Sequence, residues 1–192
     1  MSLSPLSTLR RVITALDALE IDYLIGGSVA SSIHGVYRIT NDIDMVVVLP
    51  SEKANKLAIA LQDRFYVDSE MLLNAIEHRS TANLIDLESF VKVDLFIRGD
   101  DDWSRIEFQR RVRRSFRDGS EGLEVWLASV EDMLIYKLRW HQMGGGVSDR
   151  QWNDILGMLR SYPGEIDFSY LEKWAKFFGL SASLTQVREE VS

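Results

Sequence analysis

A mixed α/β core followed by a helical bundle is the fold class that this 192-residue sequence predicts, and two observations carry it. Up to Leu127, short runs of β-branched, aliphatic and aromatic residues alternate with segments of helical periodicity. Beyond Ser129 the strand-like runs stop, and apolar residues recur at helical spacing only. The predicted division is a mixed α/β core over residues 1–129 and a helical region over residues 130–192.

The elements follow in order. Residues 8–19 place Leu9, Val12, Ile13, Leu16 and Leu19 on one side of a helix. Tyr23-Leu24-Ile25 is a short buried strand ended by Gly26-Gly27, and Ser28 is suited to cap a helix through Ile33 that Gly35 closes. Residues 42–49 form a strand stopped by Pro50, and Ser51 caps a helix to about Gln62. Residues 65–67 are a strand and residues 69–78 a helix. Residues 82–87 and 91–97 are two strands joined as a hairpin across Glu88-Ser89-Phe90. The arginine-rich stretch 105–117 is expected as a helix with a wet basic face, followed by a strand over 123–127. Helices are then expected at residues 130–142, 149–161 and 168–178, with Pro163-Gly164 separating the last two.

Composition narrows the function. With 22 basic and 29 acidic residues the chain carries a net charge of −7, which weighs against a broad nucleic-acid surface. The local exception is Arg105, Arg110, Arg111, Arg113, Arg114 and Arg117, interleaved with Trp103, Phe108 and Phe116: either a solvated helix face or a dock for RNA or an acidic protein. Zero cysteines exclude disulfides and thiolate zinc sites. His34, His78 and His141 lack metal-ligand spacing. No cleavable leader pattern and no apolar run of about 18 residues is present, so neither secretion nor membrane spanning is expected and a cytoplasmic location is.

The chemistry concentrates in three places. Gly26-Gly27-Ser28 closes a strand and opens a helix, where glycines admit close backbone approach and free N–H groups face an anion. Asp42 and Asp44, two apart on a strand, project from one face. Two carboxylates so close repel unless a cation sits between them, and hard oxygen ligands suit Mg²⁺, which shares its shell with water and substrate phosphates. Asp94 lies inside the apolar run Val91-Lys92-Val93-Asp94-Leu95-Phe96-Ile97 and is either a paired structural acid or a third ligand of the same ion.

In this order and context, Gly27-Ser28, Asp42-x-Asp44 and a lone Asp94 on a later strand resemble the polymerase-β-type nucleotidyltransferases. The segment Arg38-Ile39-Thr40-Asn41-Asp42-Ile43-Asp44 is closest to the small bacterial branch, which includes AbiEii-like toxin and minimal antibiotic-modifying enzymes. The resemblance implies a nucleotidyltransferase core with a mixed sheet flanked by helices and a C-terminal helical bundle. It implies that Asp42, Asp44 and Asp94 hold two Mg²⁺ ions, that Gly26, Gly27 and Ser28 grip the triphosphate of an NTP such as ATP, and that Arg38 and Thr40 assist. More weakly, it extends to residues 130–159. There Lys137 and Asp154 match a nucleotide-facing lysine and acid, although Lys137 read by itself is equally a side chain at the edge of the Leu134-Ile135-Leu138 stripe. The implied activity is transfer of a nucleoside monophosphate to a hydroxyl of a small molecule, an RNA or a protein, with an antitoxin or a second copy as a possible partner if the chain is a toxin. The alternative is a non-catalytic nucleotide-binding or protein-partner module on the same fold.

Overall fold

The computed structural model describes residues 5–34, 41–118, 121–145 and 149–191. Arg38 and Thr40, together with the expected helix stop at Gly35, lie outside the described residues. The chain divides into two compact units, residues 1–30 with 39–128, and residues 31–38 with 129–192.

The first unit is built on a seven-stranded mixed sheet in the order β3-β4-β5-β2-β1-β7-β6. Its strands are β1 (Tyr23–Ile25), β2 (Asp42–Val47), β3 (Phe65–Tyr66), β4 (Thr81–Asp86), β5 (Lys92–Ile97), β6 (Val112–Asp118) and β7 (Glu121–Leu127). Strands β2 and β5 run parallel, as do β1 and β7, and the other neighbours are antiparallel. Helices α1 (Pro5–Ala18), α2 (Gly27–Ile33), α3 (Ser51–Leu61), α4 (Ser69–His78) and α5 (Asp102–Gln109) accompany them. The sheet therefore matches the α/β class read from the sequence, and the β4–β5 hairpin is where its turn signals put it.

Alternation decides which face holds the core. Ile43, Met45 and Val47 of β2, Val93 and Leu95 of β5, and Ala82 and Leu84 of β4 are all fully buried on one side. Against that side α1 meets β2 and α4 meets β4 and β5, with α3 in contact with both helices. The intervening positions, Asp42, Asp44, Lys92, Asp94, Asn83 and Ile85, project from the opposite face, which is half-buried to exposed. Helix α4 shows how local chemistry ends these elements: the Asp68 carboxylate accepts from the Met71 amide at 2.8 Å, and Arg79 closes the helix in the left-handed region.

Three local expectations are corrected. Helix α3 starts at Ser51 behind an extended Pro50 with no side-chain cap, and α2 starts at Gly27 rather than after Ser28. More consequentially, the arginine-rich stretch is not one helix. Helix α5 ends at Gln109, and Val112 to Asp118 form β6, paired from Val112↔Leu127 to Asp118↔Glu121. Arginine is a good helix former, but the apolar strand β7 offers a complete ladder of partners, and tertiary pairing overrides local propensity. The Gly119-Ser120 dipeptide was the available hairpin signal in the sequence.

The second unit contains α6 (Val130–Met143), α7 (Asp149–Ser161), α8 (Phe168–Phe177) and α9 (Ser181–Val191). Its core includes Leu134, Ile135, Leu138, Ile155, Met158, Leu171 and Trp174. Helix α9 was not foreseen: it buries only Leu184 and Val187, too few for a periodic signal, and is held by α7 and α8. Asp132 is fully buried at the start of α6. Ser129 both accepts from its amide at 3.2 Å and donates to its carboxylate at 2.7 Å, and the Tyr170 hydroxyl donates to the other oxygen at 2.6 Å. Among the described residues no helix is long and apolar enough to cross a membrane.

Candidate active site

The acids meet because of sheet register. In the parallel β2–β5 pair, Asp44 stands directly opposite Asp94, and Asp42 opposite Lys92. Directly opposed residues share a face, so three carboxylates and one ammonium occupy two adjacent rows of the open face. The next strand extends both rows: Asn83 lies opposite Asp94, and Ile85 opposite Lys92. Tyr66, opposite Ile85, continues the second row on β3 and is largely exposed.

The glycine turn closes on the same place. The Gly26 amide donates to the Asp44 carbonyl at 2.8 Å, which ties the end of β1 to β2. Gly27 has φ of +57°, and a Cβ built there would overlap the Asp44 carboxylate. Only glycine satisfies both the left-handed backbone and this approach. Ser28 follows within α2. The turn thus lays main chain against Asp44, bringing Gly26, Gly27, Ser28, Asp42, Asp44 and Asp94 into one region of the first unit.

Lys92 was not singled out by the sequence reading, although its position two residues before Asp94 on a strand was a sufficient signal for a shared face. Its Nζ lies 2.9 Å from Asp94 Oδ2. The hydrogen bond to Asp94 raises the Lys92 pKa; burial opposes it, and the negative charges of Asp94, Asp42 and Asp44 add to the rise. The other oxygen, Asp94 Oδ1, is buried and accepts no hydrogen bond among the described residues. A buried carboxylate oxygen without a donor is the kind of group that a cation satisfies.

The donor set fits magnesium: oxygen ligands only, few in number, on an open face where water and phosphate can complete an octahedral shell. It is not a closed cage, and among the described residues no three histidine or acidic side chains are gathered tightly enough to hold an ion by themselves.

Lys137 and Asp154 belong to the second unit. Both are buried, and Lys137 Nζ donates to Asp154 Oδ2 at 2.8 Å, linking α6 to α7. Trp140 of α6 and Trp152 of α7 differ in their surroundings. Trp152 donates to Glu190 at 3.0 Å and stacks at a tilt on His141, whereas Trp140 is over half exposed.

The arrangement of sheet and helices is similar in fold to that of nucleotidyltransferase-like proteins of known structure. Two solved structures resemble the chain throughout its length. One is an antigenic nucleotidyltransferase-like protein from Paracoccidioides brasiliensis, with 21% identity, 94% of this chain and 87% of that chain covered, and a TM-score of 0.58. The other is ANT(2")-Ia in complex with adenylyl-2"-tobramycin, with 14% identity, coverage of 97% and 98%, and a TM-score of 0.52. No protein-family model matches the chain, and no curated protein does.

Proposed function

We propose that the protein is a Mg²⁺-dependent nucleotidyltransferase that moves a nucleoside monophosphate from an NTP to a hydroxyl of a small molecule, releasing pyrophosphate. The observation that carries this reading is the opposition of Asp44 and Asp94 on the open face, with Gly27 laid against Asp44 and Asp94 Oδ1 left without a donor. Asp42, Asp44 and Asp94 are the residues that would hold magnesium, as two ions in the full reading. Bound there, the metal supplies charge neutralisation for the attacking and leaving oxygens of an in-line displacement.

The chain's own residues do the rest. The Gly26-Gly27-Ser28 turn is assigned to the β- and γ-phosphates by resemblance: the Gly26 amide, bonded to the Asp44 carbonyl, anchors the turn, and Gly27 and Ser28 at the start of α2 are the part that would meet them. Asp94, on the strand across β2 from the turn, is suited to orient the acceptor hydroxyl and accept its proton. Arg38 and Thr40 are assigned to the nucleotide by resemblance, as are Lys137 and Asp154, whose pairing also gives them a purely structural role. The ammonium of that pair can orient a phosphate only if Asp154 shares it.

A small-molecule acceptor is favoured over RNA by two observations. Asn83, Ile85 and Tyr66 make a mixed polar and apolar strip on the acceptor side of Asp94, suited to a ring-bearing molecule with hydroxyl groups. The arginines that would have docked RNA are largely engaged within the first unit: Arg111 binds Asp22 at 2.9 Å, Arg113 binds Glu124 at 2.9 Å and Arg105 binds Asp102 at 2.8 Å. The adenylylated antibiotic bound to ANT(2")-Ia is a precedent for such an acceptor on this fold. A toxin acting on RNA or protein in the cytoplasm is the second acceptor class, and the same assay separates it.

The test is incubation with each α-labelled NTP, Mg²⁺ and, separately, a panel of polyhydroxylated small molecules, bulk tRNA and total protein. Label is expected to move to a small molecule and to be lost in Asp44→Asn and Asp94→Asn. Label on tRNA alone would transfer the protein to the RNA-modifying class. No transfer to any acceptor, with pyrophosphate release also absent, would overturn the enzymatic reading.

A further inference from the structure

The acid site already contains a positive charge of its own. Lys92 shares a strand and a face with Asp94, binds its Oδ2 at 2.9 Å, and stands in register with Asp42. Its side chain is 44% exposed, so it has room to swing. A lysine ammonium is a compact charge on a flexible four-carbon stem, able to change partners without moving the backbone. The ammonium end of the pair is solvent-exposed although Asp94 is mostly buried, so Lys92 can leave for a stronger competitor while Asp94 stays in place.

We propose that Lys92 is a tethered counterion of the acid site. It holds Asp94 in place while the site is empty, gives that carboxylate up when a divalent ion arrives with a triphosphate, and then neutralises phosphate charge. The inference rests on the assignment of Asp42, Asp44 and Asp94 as the metal-binding acids.

Two consequences follow from the charge arithmetic. A divalent ion arriving alone at Asp94 Oδ1 sits beside the ammonium held on Oδ2, a like charge, so it binds more weakly than the acids alone would allow. A triphosphate arriving with the ion gives Lys92 a new partner and removes that opposition. Metal and triphosphate therefore assist each other, and by linkage each strengthens the other's binding by the same factor. The site stays closed to free metal and opens to the metal–nucleotide pair.

The experiment is titration of Mn²⁺ into the full chain, followed by electron paramagnetic resonance of the free ion, with and without inorganic tripolyphosphate as a base-free probe. Wild type, Lys92→Met, Lys92→Arg and Asp44→Asn are compared, each checked by circular dichroism; Lys92→Gln replaces the methionine variant if that one does not fold. Lys92→Met is expected to bind Mn²⁺ alone roughly tenfold tighter than wild type. The extra affinity that tripolyphosphate confers should shrink by a similar factor, while Lys92→Arg stays close to wild type. If wild type binds Mn²⁺ and Asp44→Asn loses it, yet Lys92→Met binds equally or less well, the acid site stands and the role of Lys92 falls. If none of the proteins binds Mn²⁺ with or without tripolyphosphate, the assignment of the acids fails and takes this inference with it.

Discussion

Asp86 carries a heavily bonded carboxylate in the first unit, and it lies away from the open face. It is fully buried beneath α1, where the Thr8 hydroxyl donates at 2.7 Å, Arg11 at 2.9 Å and the Glu88 amide at 3.0 Å. Burial pushes its pKa upward, but the Thr8 hydroxyl, the Ser89 amide and the Arg11 charge outweigh that and hold it below the ordinary carboxylate range. A depressed carboxylate contributes stability that is present above the unfolded value of about 3.9 and is lost as pH falls through the lower folded value. Urea melts of wild type should therefore weaken steeply below about pH 4. Asp86→Asn should cost about 2–4 kcal/mol at neutral pH and flatten that acid limb; an unchanged limb would show that other groups set it. At the site itself, Gly27→Ala forces a side chain toward the Asp44 carboxylate at positive φ. It is expected to cost roughly 1–3 kcal/mol and to abolish transfer, read by urea melts and by the label assay.

At the scale of elements, the Lys137–Asp154 pair joins α6 to α7, with both side chains about nine-tenths buried. Removing one partner leaves a charge in a poorly solvated place, so Lys137→Met should lose about 3–5 kcal/mol in urea denaturation. The double variant Lys137→Met, Asp154→Leu should recover most of it, because two apolar side chains leave neither charge stranded. If the stable double variant still transfers nucleotide at the wild-type rate, the pair only staples the helices. Loss of transfer in that folded variant is the outcome expected for a nucleotide contact. The β6–β7 ladder makes a second claim about elements. Arg111 lies 4.4 Å from the Phe108 ring and 4.8 Å from the Trp126 ring while binding Asp22, so Arg111→Gln should lower the melting temperature. Arg114, exposed on the edge strand, should tolerate the same change with little effect.

For the whole molecule, ligand linkage gives the simplest measurement. Mg²⁺ with the preferred NTP should raise the melting temperature more than either alone. At a hundred times the dissociation constant the stabilisation is about 2.7 kcal/mol. For a chain of this size that corresponds to a shift of roughly 5–10 °C. If no nucleotide with metal moves the melting temperature at millimolar concentration, the candidate site does not bind its substrate. The net charge of −7 adds a further expectation: turnover with a small-molecule acceptor should depend little on salt beyond the effect on Mg-NTP itself, whereas docking on nucleic acid would fall steeply.

The sequence by itself determined the parts whose signals are local. Period-two alternation marked β2, β4 and β5, turn residues marked the β4–β5 hairpin, and helical spacing marked α1, α4, α6 and α7. The rarity of acids on apolar strands singled out Asp42, Asp44 and Asp94 before any contact was known. Tertiary structure decided everything that depends on register between distant segments. Strands β2 and β5 are separated by more than forty residues, and only their parallel pairing sets Asp44 opposite Asp94 and brings Lys92 into the same rows. The arginine stretch and α9 were settled in the same way. Their own residues permit more than one conformation, and the ladder of β7 or the buried faces of α7 and α8 select one. A one-residue shift along a strand turns every side chain to the other face, so register is fixed by the burial of Ile43, Met45, Val93 and Leu95 against the helices, and the acids take the open face that remains.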